Sequence, residues 1–160
     1  MSEPVWLSDS ELQAWLRVAA TSLLLPSALD AQLQRDAGIT HYDYLVLAML
    51  SEAPNRTLRM SELAAVSNAS LSRLSHVVSK LEKRGWVAKC PAPDDGRVSV
   101  ATLTDAGWAK VVETAPGHAA FVRSVVFDGL TPEQVGQLYD IMGAMLTRLD
   151  PARLMSFTPP

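Results

Sequence analysis

Cysteine is almost missing from this 160-residue chain: Cys90 stands alone, accompanied by three scattered histidines, His41, His76 and His118. One thiol closes no internal disulfide, and one Cys with three unspaced His makes no ligand set, so a disulfide scaffold and a zinc finger are both excluded. Long apolar runs are lacking too. The charge-free stretch between Arg17 and Asp30 contains Pro26 and is too short to cross a bilayer. Glu3, Asp9 and Glu11 occupy the start where a signal peptide has basic residues, so a cytoplasmic protein without a membrane partner is expected. No GxSxG elbow, SxxK, HExxH or P-loop occurs, and no glycine-rich phosphate loop follows a strand. These absences argue against an enzyme and leave no cofactor or metal to expect.

What is present begins with size and apolar content. A chain of this length buries about 68 to 70% of its unfolded surface, which suits one domain or one domain with dimerising arms. The apolar fraction of 48% is slightly above the soluble average, and a subunit interface is one place to bury the excess. The net charge of −3 conceals an uneven distribution. From Arg56 to Arg97 there are eight basic and four acidic residues, net +4, against −7 for the remainder. A basic middle between acidic flanks suggests a polyanion site on a body that otherwise repels one.

Helix starts are legible from local chemistry. Ser8 and Glu11 have the spacing of a capping box with Leu7 and Leu12 as its hydrophobic staple, so a helix begins near residue 9, and Pro26 should kink or split it near Leu25. Thr40 and Asp43 start a second helix that runs to about Ser51. Leu58 to Val66 reads as a short third helix. Ser70 caps a fourth, whose stripe of Leu71, Leu74, Val77, Val78 and Leu81 ends at Gly85. Two β-prone runs follow, Trp86 to Cys90 and Val98 to Leu103, joined through Asp95-Gly96 as a hairpin. Thr104 caps the next helix, which meets Pro116-Gly117 before resuming through Phe127. Thr131-Pro132-Glu133-Gln134 opens the last helix, to about Leu149, and the tail from Pro151 is expected to be loose.

This order predicts a mainly α fold with a small β-hairpin wing, a winged helix-turn-helix. In such a unit the second helix enters the major groove with its N-terminal residues on base edges. The polar face of the Ser70 helix offers Ser72, Arg73, Ser75, His76, Ser79 and Lys80. Arg73 alone among them has the bidentate fork that suits guanine O6 and N7. The serines can approach phosphates or bases closely, and Lys80, further along, is placed to meet the DNA backbone as a point charge. At the wing, Asp94 and Asp95 lie within reach to hold the Arg97 guanidinium, and a narrow minor groove attracts an arginine so presented.

These residues resemble the MarR (multiple antibiotic resistance regulator) transcription factors over roughly 33 to 148. The matching pieces are Gly38-Ile39-Thr40, Ser61-Glu62-Leu63-Ala64, Leu81 to Val87, Asp95-Gly96-Arg97, Leu103 to Gly107 and Leu130 to Gln134. Each alone is weak; the set, in this order and spacing, is specific. The chain departs from the family pattern at Pro26, inside a helix usually continuous there, and at Leu71, where many members carry proline.

The resemblance implies a homodimer on a pseudo-palindromic double-stranded DNA operator. It also implies a small-molecule effector pocket between the dimerisation helices and the winged unit. Residues 1–36 would then be an N-terminal dimerisation helix, 37–104 the DNA-binding region, 105–150 the C-terminal dimerisation helices and 151–160 a tail, in one intertwined domain. By the family motif the DNA-contacting set is Ser70, Ser72, Arg73, Ser75, His76, Lys80, Asp95 and Arg97. Trp15, His41 and Tyr42 are candidates for the pocket. His118 reads as a surface or packing residue, and Cys90, at the hairpin base, as a thiol without a sensing role. Two other readings remain: a winged-helix module that binds protein, separable by its weak salt dependence, and a constitutive regulator without a ligand.

Overall fold

A computed structural model of the chain describes residues 5–92 and 95–152. Helix α1 (Asp9–Ala37) opens on the Ser8/Glu11 capping box, with the Ser8 amide donating to Glu11 Oε2 at 2.7 Å. Pro26 does not split it: the helix continues for eleven residues beyond. Proline removes one amide donor from the ladder, a local cost of about 3 kcal/mol. Burial of Gln32, Leu33 and Ile39, where the C-terminal half of α1 lies on α2 (His41–Glu52) and α5 (Asp105–Val122), opposes that cost. Gly38 ends α1 in the left-handed region at φ 66°, its amide reaching back to the Gln34 and Leu33 carbonyls.

A single turn at Pro54–Arg56 leads from α2 into strand β1 (Thr57–Arg59), where the sequence predicts a helix from Leu58. Helix α3 (Met60–Val66) therefore begins later than expected. Three residues carry too little periodicity to declare a strand; pairing with β3 (Ser99–Leu103) makes β1 one, in the register Thr57 to Thr102 and Arg59 to Val100. Strand β2 (Val87–Pro91) lies on the other side of β3, so the wing belongs to a three-stranded antiparallel sheet ordered β1-β3-β2. Among the wing residues, Pro93 and Asp94 lie outside the described set, as does the tail beyond Ala152.

Helix α4 (Leu71–Lys83) follows α3 through a turn in which Asn68 takes φ 49°. Its apolar stripe closes the core: Leu74, Val78 and Leu81 are fully buried with Val46, Leu47, Leu50, Leu63 and Ala101. Helix α5 sits against the sheet so closely that only glycine fits at 107, where an added Cβ would stand 2.1 Å from the Trp86 carbonyl oxygen. Pro116 and Gly117 do not interrupt α5, which passes into a π-helical turn, Arg123–Phe127, before α6 (Pro132–Leu149).

Outside this core the picture reverses. No residue of α6 is buried, and Tyr139, Ile141 and Leu149 lie largely in the open. The first half of α1 likewise exposes Leu12, Trp15, Leu16, Leu23 and Leu24. Between α5 and α6, Ala119, Phe127, Leu130 and Val135 line an open cleft of about 620 Å³. Among the described residues no helix is long and apolar enough to cross a membrane.

Candidate nucleic-acid interface

Helix α4 turns one face to the core and the opposite one to solvent. Ser70 caps it, its Oγ accepting the Arg73 amide at 3.2 Å, so this hydroxyl serves the helix before any ligand. Ser72, Arg73 and His76 are exposed on the outer face, and Ser75 is half-buried at its edge. The positive end of the helix dipole opens where Ser72 and Arg73 stand, which favours an anion there.

Arg73 is not loose. Its guanidinium carbon lies 4.5 Å from the centre of the Tyr42 ring, contributed by the first turn of α2. The Tyr42 hydroxyl is 2.8 Å from Ser67 Oγ, which donates to the Leu63 carbonyl at 2.6 Å. This is a cation–π contact through the guanidinium carbon, and no hydrogen bond to the guanidinium N–H donors is found among the described residues.

Lys80 differs from the expectation of a point charge kept for the DNA backbone. Its ammonium lies 2.5 Å from Asp43 Oδ2, whose side chain is only 1% exposed. A carboxylate buried that deeply requires a counter-charge, and Lys80 supplies it. Asp43 also receives the Thr40 amide at 3.0 Å, closing the capping box of α2. The wing departs from expectation in a similar way: Asp95 Oδ1 accepts the Arg97 backbone amide at 3.0 Å, so it shapes the turn instead of gripping the guanidinium. The Val98 amide closes that turn on the Asp95 carbonyl at 2.9 Å, leaving Arg97 exposed beside it.

The basic segment thus divides. Arg56 pairs with Asp105 at 3.3 Å and covers the Trp108 ring; Arg84 donates to the Gly38 carbonyl at 3.0 Å and lies over Trp86. These cations are engaged within the chain. Arg73, Lys83, Lys89 and Arg97 are exposed along α4 and the hairpin.

Trp15, His41 and Tyr42 do not converge within the chain. Trp15 is 55% exposed and precedes Asp30 by fifteen residues of α1, a rise of about 22 Å. Asp30 Oδ1 accepts the His41 amide, which fixes His41 at that distant point of α1. Tyr42 faces the recognition helix. The groups that do gather around His41 come from three helices and were not singled out together by sequence: His118 Nδ1 is 2.8 Å from Gln32 Oε1, its ring 6.2 Å from that of His41 and edge-on to Tyr44 at 4.7 Å. Burial lowers both histidines below their ordinary value of about 6.5; Asp30 partly opposes this at His41, and His41 reinforces it at His118. Burial also raises the Tyr44 hydroxyl. The Nδ1 of His41 is buried without a hydrogen-bond partner among the described residues. Helical phase and chain distance separate these groups in sequence, so no local spacing marks them. Among the described residues no cluster of three or more His, Cys, Asp or Glu could hold a metal ion, and Cys90 is exposed on β2.

A helix pair, an outward polar recognition face and an adjoining hairpin with an exposed arginine define a winged helix-turn-helix protein. Comparison with known proteins narrows the class. A sequence profile described as the MarR family matches residues 37–98. The chain is 46% identical to Sco3205 of Streptomyces coelicolor, a MarR family transcriptional regulator solved in complex with DNA, with 94% of each chain covered and a TM-score of 0.87. It is 34% identical to AbsC, another MarR family regulator of that organism, over 91% of this chain and 98% of that one, with a TM-score of 0.84. The transcriptional repressor MprA of Escherichia coli is 26% identical over 113 residues, and the match spans 71% of this chain and 64% of MprA. The chain belongs to the MarR family of transcriptional regulators.

Proposed function

We propose that this regulator is a homodimer that binds a pseudo-palindromic DNA operator sequence-specifically and acts as a repressor released by a small amphipathic or aromatic effector. The observation that carries this reading is the exposed Ser72-Arg73-His76 face at the start of α4, together with the exposed Arg97 of the wing. Arg73 supplies direct readout in the major groove, Ser70, Ser72, Ser75 and His76 approach phosphates or base edges around it, and Arg97 enters the minor groove. Lys80, half-exposed in its pair with Asp43, adds at most a shared charge. The Sco3205 complex with DNA, at 46% identity, supports the polyanion partner. MprA's description as a repressor supports the sign of regulation.

The uncovered apolar faces of α1 and α6 support dimerisation, because helices in proteins draw most of their stability from packing an apolar face. The second copy sets the spacing of the two recognition helices, about 34 to 36 Å for half-sites one helical turn apart. An effector that enters the junction of α1, α2 and α5, where the buried His41 Nδ1 has no hydrogen-bond partner among the described residues, favours another spacing and so weakens DNA binding. Selection of retained sequences from a random duplex pool at about 50 and 200 mM salt tests the DNA reading. Enrichment of an inverted repeat with a steep salt slope is expected; retention that ignores both sequence and salt would refute it. Thermal shift against aromatic acids and phenols tests the effector, since a ligand of the native state raises the midpoint.

A further inference from the structure

We infer that Tyr42, on a helix that does not itself enter the groove, is the positioning residue that sets the specificity of Arg73. This inference rests on the proposed DNA reading and deepens it. Arginine's long side chain has several rotatable bonds, and an unsupported one loses much of that freedom when it docks on a base. In this chain the freedom is already restricted. The Tyr42 ring lies under the guanidinium at 4.5 Å, and the ring is anchored at both ends. Its backbone sits in the first turn of α2, held by the Thr40/Asp43 capping box, and its hydroxyl donates to Ser67 Oγ at the C-terminus of α3. Ser67 is 5% exposed and passes the chain on to the Leu63 carbonyl, so the platform is tied into the core beneath the turn between α3 and α4.

Both sides of this contact are oriented for such a role. Arg73 occupies the third position of α4, where its amide is committed to the Ser70 cap, so the start of its side chain is fixed relative to the helix. The ring then fixes the other end. Removing it leaves Arg73 its charge but not its direction, so nonspecific attraction to phosphate survives while discrimination at the base it reads is lost. A further consequence concerns coupling. Residues 41, 42 and 43 face in turn the α1–α5 junction, Arg73 and Lys80, so the first turn of α2 touches both the junction and the recognition helix.

The test is a double-mutant cycle in the full-length protein, using the operator selected from the random pool and duplexes with single base changes in each half-site. The variants are Arg73→Ala, Tyr42→Leu, the double substitution and Tyr42→Phe. Arg73→Ala is expected to lower operator affinity about 5- to 150-fold and to flatten preference at one base pair per half-site. Tyr42→Leu is expected to flatten that same base pair and no other, the double variant to fall no further than Arg73→Ala, and Tyr42→Phe, which keeps the ring but loses its anchor on Ser67, to blunt that preference less than Tyr42→Leu does. A uniform loss across all duplexes in Tyr42→Leu, or losses that multiply in the double variant, would overturn the role of Tyr42 while leaving that of Arg73 intact. An unchanged profile in Arg73→Ala would overturn both. Should Tyr42→Leu not fold, NMR of the wild-type protein decides: Arg73 Cδ protons shifted upfield by the ring support the platform, and random-coil shifts contradict it.

Discussion

The winged body and the helical arms solve opposite problems with similar residues. In the body, leucines and valines from α2, α3 and α4 reach complete burial within one chain, among them Leu47, Leu63, Leu74 and Val78. In the arms the same residue types stay uncovered: Leu24 is 70% exposed, Ile141 56% and Leu149 75%. Amphipathic patterning by itself does not distinguish a core from an interface; what differs is whether the chain supplies the opposing surface. The body carries the polar face of α4 on a core complete in itself, whereas the arms leave their apolar faces open; in the proposed dimer a second copy covers them and sets the spacing of two such faces.

Charging the arms is the strongest way to break this contrast. Leu24→Asp and Ile141→Asp each bury an unpaired charge in the proposed interface, which should weaken self-association on the order of 100-fold or more while the winged body keeps its helical spectrum. Sedimentation at graded concentration reads the first and circular dichroism the second. A core truncation has the complementary effect. Leu47→Ala removes a side chain with no exposed surface and should cost about 2 to 5 kcal/mol of unfolding free energy by chemical denaturation. Gly107→Ala sharpens the comparison where body and arms meet. The added methyl meets the Trp86 carbonyl, so about 1 to 3 kcal/mol should be lost as α5 shifts from the sheet.

The smallest effect concerns pH. His41 and His118 titrate below their ordinary value in the folded protein, so the unfolded chain takes up protons first as pH falls. Stability should be highest above about pH 6.5, decline below it as the unfolded histidines protonate, and level off below the lowered folded values. His118→Gln, which keeps a hydrogen-bonding partner for Gln32, should flatten the melting temperature between pH 7 and pH 5 relative to wild type. An equally steep profile in the variant would locate the acid sensitivity elsewhere.

What the sequence made legible was local. The boxes at Ser8/Glu11, Thr40/Asp43 and Thr131/Gln134 all form as their spacing predicts, because both partners sit within one turn. Family motifs likewise located α4 and the wing. Neither a split at Pro26 nor an interruption at Pro116 occurs, since the missing amide is a fixed local cost whereas the opposing burial comes from distant helices. Strand β1 was illegible for a related reason: its identity lies in its partner, β3. The candidate site divides along the same line. Exposure of Arg73 and Arg97 was readable from helical phase and turn type. The Tyr42 platform, the Asp43 counter-charge on Lys80 and the His41–His118 junction join residues far apart in the chain and had no spacing to announce them.

In the proposed dimer, a winged body complete in itself is paired by arms that lack an opposing surface of their own. The most direct test is the mass of the purified protein by sedimentation equilibrium, first free and then on a duplex carrying the selected inverted repeat. A dimer in the micromolar range without DNA and two protomers per duplex with it are expected. A folded monomer that binds a single half-site with full affinity would contradict it.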